Sequence, residues 1–373
     1  MKWAFWLAAA LIAYTYVGYP AWLWVRALWR GRPVLRGACT PFVSIVMVVR
    51  NEEDVLESKL KNLLELDYPQ GMSEIVVVSD GSTDRTEAIL RVHAPDSRVK
   101  VVLNQLSQGK AAALNDGAEI AQGEILVFTD SRQIIEPAAL RRLLENFADP
   151  DVGCASGELM LGDPLRGESG EGLSLYWRTE KLVRGLESAS GSVVGATGAL
   201  YAVRRELMTS IPKGTILDDV YIPMHVVRER KRVVFDPRAR AWDTPNLSST
   251  REFSRKVRTL GGNYQLLQIA PWLLSGKNPI RFEFVSHKLL RLAAPIALVL
   301  LLLTPVDLHA PFYRGVLVLE LLFYALSAVS LARPAQTGVL ARIADAAGTF
   351  VMLNGAAVVA LANFLAGRRA AWR

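Results

Sequence analysis

Polar groups gather where apolar runs stop. In "ILVFTDSRQII" the run Ile125–Phe128 leads through Thr129 into Asp130. Three earlier apolar runs end in Arg50-Asn51-Glu52-Glu53, in Ser79-Asp80 and in Asn104. Lys110 opens "KAAALNDGAEIA", and the pair Asp218-Asp219 opens "DDVYIPMHVV". Carboxylates in such places accept hydrogen bonds, take up protons or hold hard cations, and a lysine meets an anion as a compact charge. Each group also has a plain local reading. Asp80-Gly81-Ser82 makes a tight turn, Asn51 and Glu53 cap a helix, Lys110 is solvated, and Asp218-Asp219 suit the dipole of a helix start. Taken alone, the dipole reading of the acidic pair is the better one. Four polar strand ends collected along one edge favour a site over four unrelated turns. Arg132 stands two residues after Asp130, where a second carboxylate would complete a paired cation site.

These groups need elements to hold them. "FVSIVMVV" (42–49), "EIVVVSD" (74–80), "VKVVLN" (99–104) and "EILVFTD" (124–130) read as strands buried on both faces, because their apolar, β-branched runs are continuous. Between them, "EDVLESKLKNLLEL" places Leu56, Leu60, Leu63 and Leu64 at helical spacing. "STDRTEAILRVH" offers Ser82 as a cap with Asp84 in the first turn, and an alanine-rich helix follows Lys110. This alternation over residues 41–258 predicts an α/β domain with a mostly parallel sheet, helices on both faces and ligands beyond the carboxyl ends of the strands.

Several chemistries are excluded. No G-x-G-x-x-G follows the first strand and no phosphate-loop G-x-x-x-x-G-K-[ST] occurs. The two cysteines, Cys39 and Cys154, support neither a disulfide framework nor a zinc ribbon, and the four histidines are scattered. They read as surface or locally bonded imidazoles. The net charge of +7 suits anionic partners. It is concentrated beside apolar segments without interleaved aromatics, which argues against nucleic acid.

Of the 373 residues 51% are hydrophobic and 21% charged, and the mean hydropathy is +0.21, which points to membrane segments. Trp3–Val25 carries no charge and is long enough to cross a hydrocarbon layer of roughly 30 Å, with Trp3, Trp6, Trp22 and Trp24 near its ends. Its length and aromatic end disfavour a cleaved signal peptide. Arg26, Arg30, Arg32 and Arg36 follow it, so the next region faces the cytoplasm. Residues 289–306, 315–332 and 346–367 are three further candidate spans. Four crossings put both termini outside, whereas the arginines of the tail "GRRAAWR" favour the cytoplasm; a re-entrant or interfacial segment among the three reconciles the two. Glu320 within a span reads either as a polar lining or as a residue reaching interfacial water near Arg314. "LGGNYQLLQIAPWLL" (260–274) reads as an amphipathic segment in the membrane surface, or as a buried soluble helix.

The motifs "VSIVMVVRNEEDVLESKLKNLLELDYP", "EIVVVSDGSTDRT", "GKAAALN" and "ILVFTD", followed by "GATGALYAVRRE" and "ILDDVYIPMHVV", resemble glycosyltransferase family 2 over roughly residues 41–260. The flanking spans are placed as in its membrane-bound members, the cellulose, chitin and hyaluronan synthases. The resemblance implies a GT-A fold and inversion at the sugar carbon. It implies that Asn51, Glu53, Asp80, Lys110 and Asp130 line the site of a nucleotide-sugar donor, with Asp80 accepting from base or ribose and Lys110 meeting the diphosphate. Asp130 would hold Mg²⁺ or Mn²⁺ against the diphosphate; such cations take one or two protein carboxylates. Arg132 would either neutralise diphosphate charge or point away into a surface ion pair. Asp219, beside Asp218, matches the catalytic base. Processive members carry Gln-x-x-Arg-Trp where this chain reads "RKVRT". Arg258 keeps the arginine that could hold the leaving diphosphate, while Arg255 and Thr259 replace the other two. The tryptophan platform for an acceptor sugar is absent; Tyr176 and Trp177 offer stacking instead, or pack a core.

The expected organisation is a membrane helix within residues 1–30, a cytoplasmic GT-A domain at 41–260, an interfacial segment at 261–285 and about three membrane helices at 286–373. The expected function is inverting transfer of a sugar, UDP-linked by preference, to a glycan or lipid-linked acceptor at the cell membrane. The rival is a catalytically silent, nucleotide-binding membrane subunit that regulates a partner synthase.

Overall fold

A computed structural model describes residues 1–162, 175–243, 249–332 and 339–368. The chain enters through α1 (Lys2–Ala13) and α2 (Tyr19–Trp29), joined by a π-turn at Tyr14–Gly18 into one apolar rod. A connector then ties itself to the following domain. Arg32 N–H donates to the Ala189 carbonyl at 2.7 Å, and Arg36 Nε donates to Asn146 Oδ1 at 3.1 Å.

Alternating strands and helices follow: β1 (Val43–Val49), α3 (Leu56–Leu64), β2 (Ser73–Asp80), α4 (Thr86–His93), β3 (Val99–Asn104), α5 (Lys110–Ile120) and β4 (Ile125–Phe128). β1 lies between β2 and β4, parallel to both, with Val43 opposite Ser73 and Ile125. Its alternate side chains go to opposite faces. Val46 and Val48 join a core with α5, while Ile45, Met47 and Val49 join one with α3. That is why the run reads as continuously apolar. Ser82 does not cap α4, which begins at Thr86; Asp84 Oδ1, nearer to it, accepts the Thr86 N–H at 2.9 Å.

The second half was less visible in the residues. β5 (Ile134–Ile135), α6 (Ala139–Leu144), β6 (Val152–Leu161), α7 (Leu175–Ser190), β7 (Tyr201–Arg204), α8 (Asp218–Arg228) and β8 (Arg232–Asp243) complete it. Among the described residues one sheet runs β3-β2-β1-β4-β7-β6-β8-β5. It is parallel from β3 to β4 and between β6 and β8, and antiparallel where β7 meets β4 and β6. The reversal at β7 brings the chain from β6 and α7 back beside the end of β4.

α9 (Ser249–Ile269) leaves the domain and packs along the final helix. Its Leu266 and the following Ala270 and Leu273 are buried in the core shared with α8, and Tyr264 stacks on Phe364 at 5.3 Å. The remainder is α10 (Arg281–Phe284), a second π-turn at Val285–Leu289, α11 (Leu290–Leu303), α12 (Pro311–Ala332) and α13 (Val339–Leu365). Among the described residues four helices are long and apolar enough to cross a membrane: Lys2–Trp29, Arg281–Val306, Pro311–Ser330 and Ala341–Leu365. Arg26 pairs with Glu283 between the first two, and Tyr14 hydroxyl meets Ser286 Oγ at 2.9 Å. Glu320 accepts a hydrogen bond from Tyr324 one turn on, at 3.0 Å.

The join of α5 to β4 is where the parallel half is tightest. A Cβ at Gly123 would stand 2.3 Å from Ser44 N and 2.6 Å from Val43 C in the central strand. Gly123→Ala should therefore destabilise the detergent-solubilised protein by about 3 kcal/mol, the upper end for overpacking. Thermal unfolding checks this; a melting temperature equal to wild type would show that the backbones have room.

Candidate active site

The apolar run of β4 stops at the sheet edge, and Asp130 is the first charged group beyond it. α5 starts opposite, after Gly109, whose φ of +93° suits a residue without a side chain. Lys110 thereby points its Nζ between two carboxylates, 2.9 Å from Asp130 Oδ1 and 3.4 Å from Asp218 Oδ1. Asp218 and Asp219 occupy the first turn of α8, where the dipole favours negative charge. Asp219 reaches the same place from the other side: a Cβ at Gly198 would lie 3.3 Å from Asp130 Oδ2 and 3.6 Å from Asp219 Oδ2. A side chain there would press lightly on the Asp130 oxygen and touch that of Asp219.

The charges act on one another. Burial alone would depress the Lys110 ammonium, but Asp130, Asp218 and Asp219 overturn that and push its pKa above the usual lysine range. Burial, then Asp218, raises Asp219 to about 6, with Lys110 opposing. Burial raises Asp218 as well, against Lys110. Beneath them the fully buried Tyr201 hydroxyl has no hydrogen-bond partner among the described residues. Burial, followed by Asp218 and Asp219, holds that phenol well above its ordinary value.

Asp80 is fully buried, and its carboxylate accepts from Ser107 Oγ at 2.6 Å, Gln108 N at 2.8 Å and Gly109 N at 3.0 Å. These bonds tie it to the loop that delivers Lys110. Asn51 and Glu53 also shape loops rather than cap the next helix. Asn51, at φ +52°, accepts from Thr83 N at 2.7 Å, and Glu53 Oε2 accepts from Arg85 N at 2.9 Å. Arg132 is exposed and reaches Glu52 at 3.8 Å, the surface ion pair of the two readings.

Lys59 was not singled out in the sequence. Its Nζ donates to Thr129 Oγ1 at 2.9 Å and to the Gln133 carbonyl at 2.6 Å, so it braces both sides of Asp130 from below. Burial pulls its pKa down to about 7, with Asp130 opposing. The signal was available: Lys59 lies on the same helical face as Leu56 and Leu63.

The Trp177 ring carries Lys256 Nζ 5.1 Å from its centre. Trp177 borders a small cavity together with Glu180, Arg184 and Thr197. The Tyr176 side chain lies outside the described residues. Arg258 sits on α9 one turn before Gly262, whose Cβ position is 2.6 Å from Leu217 just ahead of Asp218. No hydrogen bond joins Arg258 to the carboxylates among the described residues. A cavity of about 660 Å³ opens at the other end of the sheet, by Cys39, Ile125 and Arg204, and shares no residue with this centre.

No group of three His, Cys, Asp or Glu residues among those described could hold a metal unaided. Asp130 keeps Oδ2 free of Lys110 and its side chain is 40% exposed. That donor set fits a hard divalent cation shared between one carboxylate and phosphate oxygens.

Residues 44–209 match the family described as glycosyl transferase family 2. The beta-monoglucosyldiacylglycerol synthase of Nostoc sp. is 29% identical over 192 residues, covering 48% of this chain and 40% of that protein. The poly-beta-1,6-N-acetyl-D-glucosamine synthase of Staphylococcus epidermidis is 22% identical over 237 residues, covering 60% and 55%. The chain thus spans about half the length of the curated relatives it matches, or less. The mannosyltransferase PcManGT from Pyrobaculum calidifontis, solved with GDP-Man and Mn²⁺, superposes over 97% of this chain and 99% of its own, with a TM-score of 0.72 at 23% identity. Its fold, the GT-A fold, is this fold.

If Asp80 holds the Lys110 loop, Asp80→Ala should speed hydrogen exchange at the Gln108 and Gly109 amides at least tenfold, since buried hydrogen bonds to a carboxylate are each worth about 1.5–3 kcal/mol. Unchanged exchange at these two amides would remove that role.

Proposed function

We propose that this chain, whose residues 44–209 match glycosyl transferase family 2, is an inverting enzyme of the cell membrane, with several crossings and its catalytic domain at the cytoplasmic face. It moves a sugar from a nucleotide donor, UDP-linked by preference, to a glycan or lipid-linked acceptor. The observation that carries this reading is the convergence on Gly198 of Asp130 and Asp219, with Lys110 bridging Asp130 to Asp218. The arginines after the first apolar helix support the cytoplasmic side.

Lys110 carries the charge that a donor diphosphate needs, and it is held at the rim by carboxylates that the diphosphate can replace. Asp130 is the residue that would hold Mg²⁺ or Mn²⁺, which supplies further charge for the leaving diphosphate. Asp219 takes the proton of the acceptor hydroxyl as that oxygen bonds to the anomeric carbon. The bond to the diphosphate breaks in the same displacement, and its electron pair leaves with the nucleotide. The protein contributes positioning, proton removal and charge stabilisation. A base with a pKa near 6 is largely ionised at neutral pH yet basic enough to accept a proton.

Asp219→Asn should keep nucleotide binding and lower turnover by about 10²–10⁴-fold, the usual worth of a general base. Release of UDP or GDP from a panel of nucleotide-sugars measures it and separates an enzyme from a silent subunit. Retained turnover would remove Asp219 from the mechanism. The pH dependence has a defined sign. Asp219 is protonated and incompetent below about 6, so kcat/KM should fall as pH drops through that value and level off above it. A profile flat from pH 5 to 8 would contradict the assignment. Calorimetric titration of UDP with Mn²⁺ should lose at least about tenfold affinity in Asp130→Ala, one charged contact being worth roughly 1.5–3 kcal/mol. Equal affinity would place any metal elsewhere.

A further inference from the structure

The segment 208–217, which delivers Asp218 and Asp219, belongs to no strand or helix. Side-chain amides hold it instead. Asn115, on α5 five residues after Lys110, accepts the Ile211 N–H at 2.9 Å and donates Nδ2 to the Ile211 carbonyl at 2.9 Å. Gln265, on α9, does the same nearer to the acids. Its Oε1 accepts the Ile216 N–H at 2.9 Å, and its Nε2 donates to the Gly214 carbonyl at 2.8 Å. Each amide spends one acceptor and one donor on the backbone, so a carboxylate or an apolar side chain in its place loses at least one bond. Gly262, three residues before Gln265, lets α9 come close. A Cβ there would stand 2.6 Å from Leu217 Cγ and 3.1 Å from Ile216 Cγ2.

Ile216 precedes Asp218 by two residues and Asp219 by three. The Leu217 carbonyl accepts from Val220 N at 3.2 Å and Tyr221 N at 2.9 Å, so a shift of Ile216 and Leu217 carries the first turn of α8 with it. From the sheet side, the Asp219 carbonyl accepts the Ala196 N–H at 2.7 Å. α9 has a second attachment on the adjacent residue. Tyr264 stacks on Phe364 at 5.3 Å, within a helix long and apolar enough to cross a membrane. Neighbouring residues on a helix point about 100° apart. One turn of α9 therefore touches α13 with one side chain and the segment ahead of the acids with the next.

We propose that Gln265 is a positioning residue for Asp219, and that it refers the place of this carboxylate to α13, on which α9 lies. This rests on the reading of Asp219 as the base. The donor-side groups are held by other elements: Asp80 ties down the loop before Lys110, and Lys59 braces the chain around Asp130. Gln265 thus acts on proton removal and not on nucleotide binding. A general base works only within about 2.6–3.2 Å of its proton's oxygen, and a misplacement of about 1 Å costs up to about 10²-fold in rate.

The test uses the full chain in a non-ionic detergent and the substitution Gln265→Met, which keeps the length of the side chain and loses both bonds. Gln268→Met, at an exposed glutamine of the same helix, is the control. Turnover is counted per UDP site, titrated calorimetrically with Mn²⁺ present, so that misfolded chains do not enter. Gln265→Met should lower kcat at least about tenfold, with the KM for the nucleotide-sugar and the UDP affinity within about twofold of wild type. The Ile216 amide should exchange at least about tenfold faster, while the Gln108 and Gly109 amides keep their rates. Gln268→Met should match wild type throughout. Tyr264→Ala should lower kcat in the same pattern, and an unchanged kcat there would overturn the link to α13. A smaller loss of kcat in Gln265→Met overturns the proposal, as does a parallel loss of UDP affinity, which would mean a general loosening of the domain. Wild-type turnover in Asp219→Asn sinks the base reading itself, whatever the Ile216 exchange shows.

Discussion

Everything at the catalytic end is arranged around one ammonium. Lys110 stands between Asp130 and Asp218, with Asp219 close enough to shift its proton affinity. Three carboxylates crowded at the rim of a sheet would repel one another and protonate. One lysine lets Asp130 and Asp218 remain together, while Asp219, farther from it, keeps a raised pKa of about 6. As it stands, the lysine neutralises the acids. In the proposed function a diphosphate would give the lysine a second partner, and Asp130 would hold a divalent cation. Much of the surrounding fold serves this arrangement: Asp80 builds the loop before Lys110, Lys59 braces Thr129 and Gln133 around Asp130, and Gly198 gives the carboxylates a common meeting point.

α7 connects this centre to the apolar helices. One edge of it carries Glu180, Arg184 and Glu187, and Ser190 near its end accepts from Arg26 at 3.0 Å. The same helix therefore holds a membrane helix by Tyr19 and Arg26, another by His287 and Arg291, and the Ser156–Thr197 junction beside Gly198 by Arg184. Buried ion pairs of this sort add little net stability, but breaking one partner strands the other. They fix how the soluble domain sits on its helices.

Strand and helix ends were legible in the sequence wherever the apolar period changed. Asp130 was found that way, as were the strands from Val43 to Phe128 and four apolar helices; the roles of Lys110 and Asp219 came from the family resemblance, since on its own the acidic pair reads as helix-dipole chemistry. The part played by Asp80 was not legible, because it depends on residues 107–109 folding back over a strand end 27 to 29 positions earlier. The reversal at β7 was hidden as well. β6, β7 and β8 pair across long connections, and no local pattern sets their order. Lys59 reads as an ordinary charge on a helix; its meaning lies in what surrounds it. Gly198 sits in a recognisable stretch, yet its place between two acids emerges only when β4 and α8 bring them to it from two sides.

The most direct test of the central claim is calorimetric titration of UDP, with Mn²⁺ present, into wild type and Lys110→Met. The account predicts that the substitution weakens nucleotide binding by at least about tenfold, a charged contact being worth roughly 1.5–3 kcal/mol. It also predicts tighter binding of Mn²⁺ without nucleotide, because the carboxylates then lack their cation. Nucleotide affinity within twofold of wild type, with no gain in metal binding, would contradict it.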